Sequence, residues 1–192
     1  MGPGIDLIVG LGNPGQEYAE TRHNAGFRFL GALLSGSGQA LRHEGRFNAD
    51  VAKLAIGGRE LWLMAPQTFM NHSGDAVSRF AQYYKIVPAR VLVAYDELDL
   101  PPGTVRLKQG GGDGGHNGLH DVVEKLGTPD FLRLRFGIGH PGNAAQVVSY
   151  VLKRAPAAEQ ELIDDAIAAT RAHIDDIVEG NYQKVMNALH AR

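Results

Sequence analysis

The chain has 192 residues, of which 44% are hydrophobic and 21% charged, a composition and length that predict one globular domain over residues 1–192. It has no cysteine, which excludes disulfides and thiolate zinc sites; no apolar run reaches the roughly 20 residues that cross a bilayer, and no signal peptide is evident, so we expect a cytoplasmic protein with no membrane partner. The net charge is −2, but residues 155–180 hold seven acids and one base, so the remainder carries +4 and is compatible with a basic face for nucleic acid.

Strand and helix patterns alternate along the chain. Apolar or alternating runs predict strands at 5–9, 51–56, 60–64, 91–95, 105–108 and 132–136. The second and third of these flank Gly57-Gly58 as a hairpin, and the last alternates strictly, as a half-exposed strand should. Apolar residues at helical spacing predict helices at 24–34, 69–84, 119–126, 157–178 and 182–189. Strands interleaved with helices predict an α/β layered fold around a mixed sheet.

The first glycine motif, at residues 10–15, follows a strand and matches the G-x-G-x-x-G pattern of dinucleotide-binding proteins. Pro14 has no amide hydrogen where that pattern needs donors, and positions 31–40 contain no acid to hold a ribose. The pattern alone leaves open a cofactor site, a tight turn at the end of a strand, or a rigid turn that presents the amide of Asn13 to a ligand.

The segment at 18–26 concentrates reactive side chains just before a predicted helix. A histidine can take a proton from water near neutral pH, so His23 is a candidate general base; the alternative is a surface or capping histidine. A carboxylate partner would fix its tautomer and stabilise its charged form. Asp96 directly follows an apolar strand, at the edge where functional residues of α/β sheets gather; the alternative for Asp96 is a helix cap or a turn.

The second glycine motif has six glycines within residues 110–118. Such a loop allows a phosphate or a substrate strand to approach the backbone closely, and the bases Lys108, Arg133 and Arg135 could supply charge to phosphates. The alternative is a flexible surface loop with solvated bases.

His116 and His120 are four residues apart, a spacing that can present two ligands to a metal from one helix face. Asn117 stands where an H-E-x-x-H motif has glutamate, and no third ligand is evident. We therefore expect no metal.

Six segments together resemble the bacterial-type peptidyl-tRNA hydrolases. They are VGLGNPG at 9–15, YAETRHNAG at 18–26, PQTFMNHSG at 66–74, DELDLPPG at 96–103, the glycine loop at 110–118 and RLRFGIGHP at 133–141. They occur in the family's order and cover nearly its length, and six motifs in register are far more specific than any one of them. The resemblance implies a monomeric α/β fold with a twisted mixed sheet flanked by helices, a peptidyl-tRNA substrate, and no cofactor or metal.

The resemblance also implies roles for single residues. His23 corresponds to the catalytic base, Asp96 to the acid that orients it, and Asn13 to the residue that distinguishes a blocked peptide end from a free amino acid. The other matching positions contact substrate: Asn71 and Asn117 position it, Tyr18 and Phe69 line the cleft, and Lys108 and Arg135 grip the 5′ phosphate of the tRNA.

Three positions depart from the family pattern. Gly31 stands where an acid or amide is usual, His120 stands where Lys or Arg is usual, and Asp113 is an acid in a loop that borders tRNA. The last two concern tRNA affinity and not chemistry.

The resulting hypothesis is hydrolysis by general-base catalysis, in which His23, polarised by Asp96, activates a water that attacks the ester between peptide and tRNA. Two other classes remain as alternatives. A non-catalytic RNA-binding module would share the basic loop, and a nucleotide-binding oxidoreductase would use the first glycine motif. Neither accounts for the set Asn13, His23, Asn71, Asp96 and Asn117.

Overall fold

The structure is a computed structural model that describes all residues from Met1 to Arg192. The strands are β1 Leu7–Gly10, β2 Arg42–Glu44, β3 Ala49–Ile56, β4 Arg59–Pro66, β5 Val91–Glu97, β6 Val105–Gln109 and β7 Leu132–Gly137. The helices are α1 Ala25–Leu34, α2 Ser73–Tyr83, α3 Asn117–Leu126, α4 Val147–Val151, α5 Ala157–Ala172, α6 Ile174–Glu179 and α7 Tyr182–His190.

The seven strands form one mixed sheet in the order β2-β3-β4-β1-β5-β7-β6. The central strand β1 pairs in parallel with β4 and β5, and β5 pairs in parallel with β7. The outer pairs β2–β3, β3–β4 and β6–β7 are antiparallel. The predicted hairpin is confirmed as β3–β4, and Gly57 and Gly58 both have positive φ, as a tight two-residue hairpin turn requires. As a result, the carboxyl ends of β1, β4, β5 and β7 meet at one edge.

Helices cover both faces of this sheet, which confirms the predicted α/β class. On one face, α1, α5, α6 and α7 bury a cluster of 28 residues that includes Phe29 and Leu92. On the other face, α2 and α3 bury a cluster of 17 residues that includes Phe80 and Val93. Adjacent residues of β5 alternate between the two clusters, because successive strand side chains point to opposite faces. The sheet is therefore rigidly held from both sides, and its carboxyl edge is a stable platform for functional side chains.

The expectation that the strand at 132–136 is half exposed is wrong. β7 lies between β5 and β6, and Arg133 is only 1% exposed. Its guanidinium donates to the carbonyl oxygens of Gly112 and Pro129, so the polar side chain is satisfied inside the protein. The alternating pattern was correct for a strand, but neighbouring loops cover the face that it left polar.

The single helix predicted at 157–178 is also interrupted. α5 ends at Ala172 and α6 begins at Ile174, with His173 between them in a non-helical conformation. Leu162 is an apolar residue of α5, yet it is 48% exposed. β2 and α4, of three and five residues, are too short for periodicity to indicate and were not predicted. None of the helices combines the length and apolarity that crossing a bilayer requires.

Candidate active site

The candidate site lies at the carboxyl edge of the sheet, where β1 and β5 end side by side. The first turn of α1 packs directly against this edge: a Cβ on Gly26 would lie 2.4 Å from both the Ala94 carbonyl oxygen and the Leu11 amide nitrogen. Only glycine permits so close an approach. The contact brings the 3₁₀ turn Arg22–Asn24, which immediately precedes α1, to the end of β5.

His23 and Asp96 meet at this point. His23 Nδ1 lies 2.7 Å from Asp96 Oδ2, and the carboxylate is buried at the end of β5. Because an ionised carboxylate accepts hydrogen bonds only, Nδ1 carries a proton and donates it. Nε2 of His23 makes no hydrogen bond within the protein, and His23 lines the adjacent pocket. His23 therefore presents an unshared electron pair to whatever occupies that pocket.

His116 is a second partner of the same carboxylate. Its Nε2 lies 2.8 Å from Asp96 Oδ1, and its Nδ1 accepts a hydrogen bond from the Leu119 amide at the start of α3. An imidazole nitrogen that accepts an amide proton is itself unprotonated, so the proton of His116 lies on Nε2 and is donated to Asp96. Sequence reasoning considered His116 only as a metal ligand. Its position just before a helix, beside Asn117, was the one signal that could have indicated a capping and orienting role.

The electrostatics of the pair favour an ionised Asp96 and a basic His23. Burial alone would lower the pKa of His23, but the negative charge of Asp96 and its hydrogen bond outweigh burial and raise that pKa above 6.5. Burial would likewise raise the pKa of Asp96, yet the charge of His23 and the hydrogen bonds from both imidazoles bring it well below its usual range. The carboxylate therefore stays charged across the pH range in which the imidazole titrates.

Asn13 is held by three hydrogen bonds, two through its backbone and one through its side chain. Its backbone N–H donates to Asn24 Oδ1 at 2.9 Å, and its backbone carbonyl accepts from Asn24 Nδ2 at 3.0 Å. Its side-chain Oδ1 accepts from the Met70 amide at 2.8 Å, which leaves Nδ2 free to donate into the pocket. The rigid presentation expected of Asn13 therefore comes from Asn24, a fully buried residue that sequence reasoning did not single out although it follows His23 directly.

The pocket in front of His23 combines a polar floor with apolar walls. Asn13, Asn71, Asn117, His23 and Asp96 bring polar groups to it, so five of the predicted residues are assembled at one site. Its apolar lining comes from Phe69, Met70 and Leu98 and from one face of α4, whose Val148 is 66% exposed. Phe69 is 62% exposed, so large apolar surfaces face solvent at the mouth. A pocket of this kind fits an extended chain with hydrogen-bonding amides and apolar side chains.

The wall made by α4 is fixed to the turn that carries His23. The guanidinium of Arg22 stacks on the ring of Tyr150 at 3.7 Å and donates to the Tyr150 carbonyl oxygen at 2.8 Å. The same contact therefore sets the position of α4 and that of the 3₁₀ turn Arg22–Asn24.

The remaining predicted residues lie outside this pocket. Tyr18 is half-buried in a 3₁₀ turn and is not among the pocket-lining residues, so it does not line the cleft as expected. Lys108 is exposed on β6 and Arg135 is part of β7, and the strand register places both on the same face of this antiparallel pair. Arg133, which the sequence suggested as a source of charge for phosphates, is buried and bound to carbonyl oxygens, so it is not available to a ligand.

Two of the three departures from the family pattern contact one another. Asp113 Oδ2 lies 2.7 Å from His120 Nδ1, and Asp113 Oδ1 accepts from the Gly115 amide. The Gly115 hydrogen bond and then the His120 hydrogen bond lower the pKa of Asp113, while the bond to Asp113 raises the pKa of His120. The pair closes the glycine loop on the first turns of α3. The third departure, Gly31, lies on the exposed side of α1 with open space around it.

One group of side chains has the composition to hold a metal. The candidate ligand atoms of His23, Asp96 and His116 all lie within 4.8 Å of one another. The ring nitrogens that face Asp96 already donate to it, so a metal would have to displace both hydrogen bonds. A metal shared by His116 and His120 would also have to displace hydrogen bonds, because both ring nitrogens of His116 are bonded and His120 Nδ1 is bonded to Asp113.

Comparison with known proteins identifies close relatives. The family model described as peptidyl-tRNA hydrolase matches residues 7–192. A peptidyl-tRNA hydrolase from Saccharophagus degradans is 53% identical over 189 residues, which cover 98% of this chain and 96% of that protein. One from Edwardsiella ictaluri is 54% identical over 187 residues, covering 97% of this chain and 95% of that protein. The crystal structure of peptidyl-tRNA hydrolase from Acinetobacter baumannii superposes with a TM-score of 0.96 at 46% identity, over 100% of this chain and 97% of that one.

Proposed function

The chain belongs to the peptidyl-tRNA hydrolase family, and we propose that its hydrolysis of the ester between peptide and tRNA is carried out by His23, Asp96 and Asn13. The observation that carries the assignment of these roles is the 2.7 Å contact between His23 Nδ1 and Asp96 Oδ2, which leaves Nε2 unprotonated toward the pocket. The reaction releases free tRNA and the peptide acid, and so recycles tRNA from peptidyl-tRNA that has left the ribosome prematurely.

In the proposed mechanism, His23 Nε2 takes a proton from a water molecule as the water oxygen attacks the ester carbonyl carbon. The resulting imidazolium is stabilised by the adjacent charge of Asp96. When the tetrahedral intermediate collapses, the bond to the terminal ribose oxygen breaks, and the proton on Nε2 passes to that oxygen. An ester of this kind needs neither a covalent enzyme intermediate nor a metal. The nitrogens of His23 and His116 that face Asp96 are already hydrogen-bonded to it, which supports metal-independent chemistry.

Three amides are proposed to hold the substrate. Asn13 Nδ2 has no protein acceptor and donates to the carbonyl oxygen, where negative charge develops in the transition state. Asn71 and Asn117 flank the pocket and bind the peptide backbone, while Phe69 packs on its side chains.

Recognition of tRNA is proposed to involve Lys108 and Arg135, which share one face of the antiparallel β6–β7 pair. We propose that these two cations bind the 5′ phosphate, which lies close to the acceptor end that carries the ester. Charge–phosphate contacts of this type position a nucleic acid without reading its sequence.

The proposal also covers how the protein operates. We propose that residues 1–192 act as one domain and as a monomer, because a single chain supplies all the residues of the proposed catalytic pocket. A substrate produced during translation places the enzyme in the cytoplasm.

The alternatives from other classes are less well supported. An RNA-binding module has no need of an imidazole held by a buried carboxylate, and a dinucleotide-binding protein would need donors where Asn13 is held by Asn24 and Met70. The deciding experiment compares hydrolysis of N-acetyl-aminoacyl-tRNA with that of unblocked aminoacyl-tRNA in the presence of EDTA. Cleavage of the blocked substrate alone supports the proposal. Binding of tRNA without cleavage would favour the RNA-binding module.

A further inference from the structure

Glu97 is a buried acid that the proposed mechanism does not use. It follows Asp96 directly on β5, and successive strand side chains point to opposite faces of a sheet. Asp96 therefore faces the two histidines, whereas Glu97 faces the side on which Arg135 lies. Glu97 is 4% exposed, and its Oε1 lies 3.3 Å from Arg135 Nη1.

The face that Glu97 meets is strongly cationic. In the antiparallel β6–β7 pair, Arg106 lies opposite Arg135, and Lys108 lies opposite Arg133. Like charges directly opposite one another on a sheet repel, so this arrangement costs stability in the absence of an anion. Among these four cations, only Arg135 has an acid within ion-pair distance, and that acid is Glu97.

The Arg135 side chain still has capacity for an anion. Its side chain is 23% exposed, and a single contact of 3.3 Å leaves other guanidinium donors uncommitted. A phosphate bound there would lie within a few ångströms of the Glu97 carboxylate, so the two anions would repel each other. A buried acid beside a phosphate-binding cation reduces the affinity for the phosphate while it keeps the cation in position.

We propose that Glu97 is a positioning residue that sets the affinity for the tRNA 5′ phosphate, holding it low enough for the tRNA product to leave after ester cleavage. This inference rests on the proposed phosphate contact at Lys108 and Arg135. The carboxylate also lies beside the glycine loop, where a Cβ on Gly114 would be 3.3 Å from Oε2. Glu97 therefore lies between the proposed phosphate site and the loop that leads to His116 and Asn117.

The test is inhibition by deacylated tRNA, the reaction product, with and without its 5′ phosphate. Glu97→Gln removes the charge and keeps the shape. We expect it to tighten binding of 5′-phosphorylated tRNA about three- to tenfold, the effect of one nearby charge in a partly solvated site, and to leave dephosphorylated tRNA within about twofold of wild type. Asp99→Asn, the neutralisation of an exposed acid two residues away, is the matched control and should show no difference between the two tRNAs.

The same comparison in an Arg135→Gln background separates the inference from the proposal beneath it. If Arg135→Gln alone weakens phosphorylated tRNA and abolishes the effect of Glu97→Gln, both stand. If Arg135→Gln leaves the two tRNAs unchanged, the phosphate contact is wrong. If Arg135→Gln weakens phosphorylated tRNA but Glu97→Gln weakens it too, or shifts both tRNAs equally, the role of Glu97 is overturned. If Glu97→Gln does not fold, Glu97→Asp, which retracts the carboxylate from Arg135, is measured instead and should shift binding in the same direction.

Discussion

His23 Nδ1 lies 2.7 Å from Asp96 Oδ2, although 73 residues separate the two in the chain. Two features of the fold produce this contact. Asp96 is at the carboxyl end of β5, and Gly26 lets the first turn of α1 touch the same strand. The oriented imidazole that results is the base that we propose for hydrolysis.

Removal of the base should abolish nearly all turnover. His23→Ala is expected to lower kcat for N-acetyl-aminoacyl-tRNA by about 10²–10⁴-fold, the usual contribution of general-base catalysis. The measurement is the initial rate of tRNA release at saturating substrate. His43→Ala, which removes an exposed histidine paired with Asp50, is the control and should retain wild-type rates. Retention of more than about a tenth of wild-type turnover by His23→Ala would exclude His23 as the base.

The pH dependence should reflect the same pair. The charge of Asp96 raises the pKa of His23 against the effect of burial, and a base works only when unprotonated. The value of kcat/KM should therefore rise with pH, with a midpoint above 6.5. Asp96→Asn removes the charge, so its residual activity should have a midpoint at lower pH and a strongly reduced plateau. An unchanged midpoint in Asp96→Asn would mean that the loss of activity at low pH does not come from protonation of His23.

The His23–Asp96 pair should also make the free energy of unfolding depend on pH. Because the folded-state pKa of His23 is raised, its contribution to stability is fully present below about pH 6.5 and is lost as the pH rises through the raised value.

His116 should act on catalysis through Asp96. Its Nε2 proton is donated to Asp96 Oδ1, and glutamine carries a donor at nearly the same distance from the backbone, whereas leucine carries none. We expect His116→Leu to lower kcat more than His116→Gln, by about tenfold, since a buried carboxylate would lose one charge-assisted hydrogen bond. The check is kcat together with the pH midpoint. Equal losses in the two variants would mean that packing, and not hydrogen bonding, is what His116 supplies.

Neutralisation of Lys108 and Arg135 should weaken the binding of long substrates more than that of short ones. Lys108→Gln and Arg135→Gln are expected to raise KM for full-length N-acetyl-aminoacyl-tRNA and to spare short esters that lack the 5′ phosphate. The loss should shrink as salt increases, because phosphate contacts release counterions. Arg42→Gln, on the opposite edge strand β2, is the control for net charge. Equal losses on long and short substrates would assign these residues to structure or chemistry instead.

Sequence patterns predicted most of the longer elements and named residues that the fold brings together at one pocket, and the reasons are local. A short apolar run such as 91–95 is typical of a buried strand in a parallel sheet, and polar residues that follow such strands meet at one edge. The roles of His116 and Asn24 were missed because they depend on contacts across 20 and 11 residues that no periodicity encodes. Arg133 was misjudged for a similar reason: an alternating strand indicates a polar face but not whether loops cover that face.

Two glycines of α1 provide a matched test of how the helix is placed. A Cβ on Gly26 would lie 2.4 Å from backbone atoms of β5 and of the residues after β1, whereas a Cβ on Gly31 would meet nothing within 4 Å. Gly26→Ala must push the helix off the sheet, so we expect a loss of several kcal/mol in the free energy of unfolding together with loss of activity, because His23 moves with the helix. Gly31→Ala should instead stabilise the protein by about 0.5–1 kcal/mol, since alanine restricts the unfolded chain and favours the helix. Urea denaturation of both variants measures the two effects. Tolerance of Gly26→Ala would show that α1 is not held against the sheet by this contact. Destabilisation by Gly31→Ala would show that position 31 does not lie in open space.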